Sequence, residues 1–225
     1  MKINYLIDSI TSLKYSNNSF IVQFFTEKDS YIFNCCEGCQ YFIMNGNSSI
    51  NKISKIIITD LHINNLSGLM GLLSSLNLIG RMRSLHIYGP KDLAYYLDLC
   101  KKYSHTNFNY AIYIHILTTG LIINHYQYRI YAFINSSQYD FVIMESEKNG
   151  TFFLDKAQKN NLFPGPLYGK LKKGLSFLLP DGLILNGSNF TMINFLGNQL
   201  SFFVNRYYRR KALENFLNSD IMFYS

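Results

Sequence analysis

The first third of the chain alternates short apolar runs with polar breaks, and the runs predict strands. Ile3–Ile7, Ser19–Phe25 and Ser30–Asn34 are apolar or alternating, separated by Asn, Ser, Glu, Lys and Asp. Lys55–Thr59 is a β-branched run suited to a buried strand. Leu66, Leu69, Met70, Leu73 and Leu76 then recur at helical spacing, and Gly80 offers a stop. Ser84–Tyr88 predicts a further strand ended by Gly89-Pro90, and Asp92–Tyr103 a second amphipathic helix. Strand patterning returns at Tyr110–Leu117, Tyr128–Ile134, Tyr139–Met144 and Leu200–Val204, followed by a helix at Tyr208–Leu217 and a strand at Ile221–Tyr224. Strands alternating with helices argue for a layered α/β domain. Between them, Glu145–Gly174 is polar and basic, contains Pro164-Gly165-Pro166, and reads as an arm with little to offer a core.

Length and composition fit that picture. The chain of 225 residues suits one domain with an appended arm, and 48% apolar residues exclude disorder over the whole length. No apolar run is long enough for a membrane span, and Met1-Lys2-Ile3-Asn4-Tyr5 does not open a signal peptide, so an intracellular, soluble protein is expected. Twenty-one Lys and Arg against 14 Asp and Glu leave a charge of +7, which favours a polyanionic partner such as RNA without naming one. Abundant Ile, Asn, Lys, Tyr and Phe with no Trp is the composition of an AT-rich genome, and points to a plastid.

Three of the four cysteines fall in Cys35-Cys36-Glu37-Gly38-Cys39. Cys36 and Cys39 have the spacing of a zinc knuckle or a redox pair, yet no second C-x-x-C or spaced His pair follows. Reduced thiols packed at the end of a strand are the better reading.

Three stretches, in order, match known motifs. Phe33-Asn34-Cys35-Cys36-Glu37-Gly38-Cys39-Gln40 is similar to F-D-C-G-E-G-T-Q. The segment from Ile58-Thr59-Asp60-Leu61-His62-Ile63-Asn64-Asn65 through Gly68-Leu69-Met70-Gly71-Leu72-Leu73-Ser74-Ser75 to Ile87-Tyr88-Gly89-Pro90 resembles T-H-L-H-G-D-H-x-x-G-L-P-G-L-L-S-S and I-Y-G-P. Phe163-Pro164-Gly165-Pro166-Leu167-Tyr168-Gly169-Lys170-Leu171-Lys172-Lys173-Gly174 is similar to P-G-P-L-Y-G-K-L-K-x-G. Three stretches in register are far more specific than any one of them, and together they resemble the ribonuclease Z (tRNase Z) family of the metallo-β-lactamase superfamily, in which the third belongs to a tRNA-gripping arm.

The resemblance implies one αβ/βα sandwich over residues 1–225, incomplete at its C-terminus. It also makes the excursion near 145–174 a protruding exosite-like arm. The implied activity is endonucleolytic maturation of tRNA 3′ ends, by two zinc ions held in H-x-H-x-D-H and in later His and Asp residues. Two such ions need imidazoles and carboxylates to hold them and to activate a shared hydroxide.

This chain departs from that pattern. The motif positions read Asp60, His62, Asn64 and Asn65, so His62 and Asp60 are the residual metal ligands. Asn64 stands where the family has its proton-transfer base, and Asn65 where it has an imidazole. No His occurs near Ile134–Ser136 or beyond His125, Asn205 aligns with the bridging Asp, and Tyr224-Ser225 with a His-Glu pair. No catalytic residue is therefore assigned, zinc is expected to bind below stoichiometry, and His62 reads more readily as a loop or helix-start histidine with no metal.

The RNA side is better kept. Lys170, Lys172 and Lys173 are candidate phosphate contacts on tRNA or precursor tRNA, against the alternative of a solvated basic loop. Arg206, Arg209, Arg210 and Lys211 make a second patch or merely a charged helix face. The expectation is a weak or inactive tRNA-binding homologue, a homodimer or a heterodimer with a complete paralogue. The alternative is an active zinc endonuclease completed by a partner subunit, and a third is a structural remnant.

Overall fold

A computed structural model describes residues 2–5, 19–24, 29–45, 49–135, 138–147, 150–180, 182, 184–192, 197–203 and 221–223. The chain divides into two compact units, one of residues 1–125, 129–143 and 199–225, the other of residues 126–128 and 144–198. The helix expected at Tyr208–Leu217, the basic residues Arg206, Arg209, Arg210 and Lys211, and Asn205 lie outside the described residues.

The first unit holds two sheets. The larger has strands β1 (Lys2–Tyr5), β2 (Phe20–Gln23), β3 (Ser30–Phe33), β4 (Ile53–Ile57), β5 (Leu85–Gly89) and β6 (Ile112–Ile116), in that order. β1, β2 and β3 run antiparallel, and β3 to β6 run parallel. Parallel strands need crossovers, and the predicted helical stretches supply two of them. Between β4 and β5 lie a short turn of helix, α2 (Ile63–Leu66), and α3 (Leu69–Leu78), and between β5 and β6 lies α4 (Leu93–Ser104). A seven-residue helix, α1 (Cys39–Asn45), follows β3 where no helix was expected. The second sheet is ordered β13-β12-β9-β8-β7, from β7 (Gly120–Asn124), β8 (Tyr128–Asn135), β9 (Gln138–Glu145), β12 (Gln199–Phe202) and β13 (Ile221–Phe223). The strand β7 was not expected, because its apolar run is only three residues between Gly120 and Asn124.

Period-two alternation sorts the side chains into two cores. Ile32, Ile56, Leu85 and Ile87 pack with Leu69, Leu72, Leu73 and Leu76 of α3 and with Leu93 and Leu97 of α4. Phe33 turns the other way and meets Phe141 of β9 edge-on, its ring centroid 5.5 Å away. Phe20 stacks on Phe33 at 4.8 Å and meets Phe202 of β12 at 4.9 Å. Buried Phe rings carry large apolar area, so this cluster ties strands of both sheets together.

The helix expected from Leu66 is in fact two pieces. Gly68 separates them, and a Cβ there would lie 1.9 Å from the Cys36 carbonyl oxygen. Its own N–H donates to the Cys35 carbonyl at 2.9 Å, so the backbone approach requires glycine.

The second unit corrects the expectation that Glu145–Gly174 offers little to a core. It contains α5 (Leu154–Lys159), α6 (Pro166–Lys172) and the antiparallel pair β10 (Phe177–Leu178) and β11 (Ile184–Leu185). Ala157, Leu162, Leu171, Leu185 and Phe190 form a small core, flanked by Phe152, Leu167, Tyr168 and Phe177. The unit runs on to Asn198, well past the basic stretch. Residues from 175 onward complete that core, which is why 145–174 alone reads as a loop.

Candidate functional site

Parallel α/β sheets place ligands at the carboxyl ends of their strands. Here that edge carries Asn34 and Cys35 after β3, Thr59 and Asp60 after β4, and His62 to Asn65 at α2. Asn34 has φ 55°, a left-handed conformation that Asn tolerates better than most residues. Its Oδ1 accepts from the Thr59 backbone N–H at 2.9 Å and from the Thr59 hydroxyl at 3.1 Å.

Asp60 is 6% exposed and Asn65 4%. The Asp60 Oδ1 accepts from Asn65 Nδ2 at 2.7 Å and from the His62 backbone N–H at 2.9 Å. Its Oδ2 accepts from Gln138 Nε2 at 2.9 Å. A buried carboxylate demands such donors, and here three of them share its charge. Asn65 Nδ2 also donates to Thr59 Oγ1 at 3.3 Å, while the Cys35 N–H donates to the Asn65 carbonyl at 2.8 Å.

His62 stands apart. It is exposed, it is the N-cap of α2, and its Nδ1 accepts the Asn64 N–H at 3.3 Å. The structure thus brings Asp60 and Asn65 together and leaves His62 at the start of a helical turn. Asn64 is exposed.

Zinc would need at least three protein donors with open lone pairs. Among the described residues no group of three or more His, Cys, Asp and Glu side chains converges on one point. Both Asp60 oxygens already accept from N–H groups, and Asn65 turns its amide nitrogen, not an acceptor, toward them. Among the described residues the donor set does not fit a zinc pair.

The cysteines do not compensate. Cys35, Cys36 and Cys39 are buried and unpaired, and Cys39 Sγ lies 3.7 Å from the Gly68 carbonyl. The contact with Cys39 and burial push the Cys35 thiol up, and burial does the same to Cys36. Raised thiols are poor thiolates, hence poor metal ligands and nucleophiles.

A second pairing escaped the sequence. His86 Nδ1 and His115 Nε2 are 2.9 Å apart, on neighbouring strands β5 and β6. His86 stacks on Tyr113 and His115 on Tyr88. Burial, then His115 and Lys55, hold the His86 imidazole below its ordinary range. The spacing was readable only once the parallel register of the two strands was known.

In the second unit, Pro166 opens α6 and Lys170 and Lys172 lie in its last turn, with Lys173 just after. All three lysines are exposed, and Lys170 Nζ is 5.9 Å from the centre of the Phe177 ring. Cations at a helix C-terminus are favourable in themselves. Tyr168, by contrast, is structural: its hydroxyl donates to the Leu162 carbonyl at 2.6 Å.

No family model matches the chain. A protein of Porphyra purpurea named "Uncharacterized protein ycf56" is 35% identical over 203 residues, covering 89% of this chain and 75% of that protein. A "Ribonuclease Z" of a Nostoc species is 30% identical over 195 residues, covering 85% of this chain and 61% of the enzyme. The chain belongs to the ribonuclease Z family. The solved structure of the short form of human tRNase Z superposes with a TM-score of 0.52 at 23% identity, over 64% of each chain. The metallo-β-lactamase-fold protein YhfI of Bacillus subtilis gives 0.56 at 10% identity over 98% of this chain and 68% of its own. At those identities the likeness establishes the metallo-β-lactamase fold, as the sequence motifs implied. This family member spans about 61% of the length of the Nostoc enzyme. No helix among its described residues is long and apolar enough to cross a membrane.

Proposed function

We propose that this ribonuclease Z-family chain binds tRNA or its precursor and does not by itself hydrolyse it with zinc. The observation that carries the reading is the state of Asp60: the carboxylate left in the metal motif accepts three hydrogen bonds from protein donors. Three donors already share the charge of that carboxylate, the Asn65 amide turns hydrogens rather than a lone pair toward it, and His62 does not bring the set to the three protein ligands that zinc needs. The exposed Lys170, Lys172 and Lys173 support a sequence-independent grip on phosphates. The Ile-, Asn- and Lys-rich composition supports a plastid location.

A second reading is favoured by the same contrast between an altered centre and a retained basic arm. In a dimer with a complete paralogue, this chain presents the RNA and the partner supplies the zinc. Metal analysis and precursor-tRNA cleavage by the purified chain test the primary reading. Sub-stoichiometric zinc, no cleavage and salt-dependent tRNA binding are expected. Stoichiometric zinc with 3′ processing overturns it, and cleavage only on adding the paralogue supports the second.

A further inference from the structure

Where a metal would tie loops together at this sheet edge, the chain has a directional run of hydrogen bonds. Its polarity is forced. With the Asp60 carboxylate as acceptor, the Asn65 atom 2.7 Å from it is the amide nitrogen. The second hydrogen of that nitrogen points to Thr59 Oγ1 at 3.3 Å, so this hydroxyl accepts from Asn65. Its own proton then goes to Asn34 Oδ1 at 3.1 Å. The same logic sets Gln138, whose Nε2 faces the other carboxylate oxygen.

We propose that the Asp60–Asn65 clasp replaces a divalent metal as the tie that holds these loops, and excludes one. It joins the segment after β3 (Asn34), the segment after β4 (Thr59, Asp60), the turn α2 (Asn65) and the start of β9 (Gln138). The Tyr139 N–H adds a backbone link to the Thr59 carbonyl at 3.2 Å. The clasp needs donors aimed at Asp60, whereas a metal needs lone pairs aimed outward. A cation reaching Asp60 competes with Asn65, His62 and Gln138 for the carboxylate, and beside it meets the hydrogens of the Asn65 amide rather than a lone pair. An imidazole at position 65 has no second hydrogen on the same nitrogen, and a carboxylate there has none at all, so only the amide completes the run. The inference rests on the functional reading above but concerns stability.

The test is thermal unfolding of the full chain, with chelator, with stoichiometric zinc and without either, alongside Asn65→Asp, Gln138→Ala and the double variant Asp60→Asn/Asn65→Asp. The wild-type midpoint is expected not to move with chelator or zinc. A metal at a hundredfold excess over its Kd would raise it by about 5–11 °C. Asn65→Asp sets two buried carboxylates face to face and lowers the midpoint by about 10 °C. Gln138→Ala lowers it by a few degrees, and exchanging donor and acceptor in the double variant recovers part of the Asn65→Asp loss. A wild-type midpoint raised by zinc or lowered by chelator overturns the proposal. So does an Asn65→Asp protein as stable as the wild type; if that variant does not fold, Gln138→Ala and the zinc series decide. A neutral Asn65→Asp in a zinc-free protein sinks the clasp alone, whereas a failure to bind tRNA falls on the functional reading alone.

Discussion

Asn65 donates its side-chain amide to the Asp60 carboxylate at 2.7 Å, both residues almost wholly buried at the carboxyl edge of a parallel sheet. The resemblance read from the sequence puts the pair at two of the motif's ligand positions, and the Asn65 amide there supplies a donor of the kind that a buried carboxylate requires.

Removing the acceptor is therefore expected to cost more than removing an ordinary hydrogen bond. Asp60→Ala takes the acceptor from the buried Asn65 amide and from the part-buried His62 N–H and Gln138 amide. Unsatisfied buried donors cost about 1–3 kcal/mol each, partly relieved by relaxation, so a loss of about 3 kcal/mol is expected. Urea unfolding with an unchanged slope and a lowered midpoint checks it. A midpoint equal to the wild type would mean that the carboxylate is not holding these groups.

Gly68→Ala tests the close approach of α3 to the loop after β3. The added Cβ meets the Cys36 carbonyl oxygen at 1.9 Å and its carbon at 2.9 Å. Both are backbone atoms, so no side chain can swing away. The variant is expected to lose several kcal/mol, on the order of 3 or more, or to be recovered as aggregate. Soluble Gly68→Ala protein with a wild-type midpoint would refute the packing described for this junction.

The His86–His115 pair predicts a pH dependence. The folded His86 pKa lies below its unfolded value, because burial and the neighbouring His115 and Lys55 disfavour the imidazolium. Between the two values the unfolded chain binds more protons, so stability rises with pH in that window. The contribution is fully present above about 6.5, the unfolded value, and is lost as the pH falls from there toward the folded pKa. His86→Phe keeps a ring against Tyr113 and removes the titration, so it is expected to flatten the fall in melting temperature between pH 7.5 and 5. Identical pH profiles for the two proteins would rule this out.

Much of this architecture is legible in the residues because local pattern and tertiary demand agree. The run Lys55–Thr59 is apolar enough to be a central strand and is one, with β4 at Ile53–Ile57. The Leu69, Leu72, Leu73 and Leu76 stripe is the core face of α3. What the pattern hides depends on distant partners. The sequence pattern predicts no element at Cys39–Asn45, yet Gly38 at φ 71° turns the chain into a helix whose Ile43 enters the core. The core of the second unit needs Leu185 and Phe190 from beyond the basic stretch to bury Ala157 and Leu171. The departure from the family's motif at residues 60–65 is visible in the sequence. That Asp60 and Asn65 would bind each other, with Gln138 from a strand 78 residues away, was not.

Lys172 is exposed in the final turn of α6 and Lys170 sits over the Phe177 ring, so the two cations differ in freedom. A lysine that contacts phosphate displaces a condensed counterion, and its loss weakens binding to every sequence alike. Lys172→Ala is expected to lower tRNA affinity severalfold and to reduce the log–log salt slope by about one unit. Lys172→Arg keeps the charge and should restore the slope, which separates a phosphate contact from a folding effect. Tyr168→Phe serves as the structural control: it loses the hydroxyl bond to the Leu162 carbonyl at 2.6 Å, costing about 1 kcal/mol, while the salt slope stays put. An unchanged slope after replacing Lys170, Lys172 and Lys173 together would show that these lysines do not grip RNA.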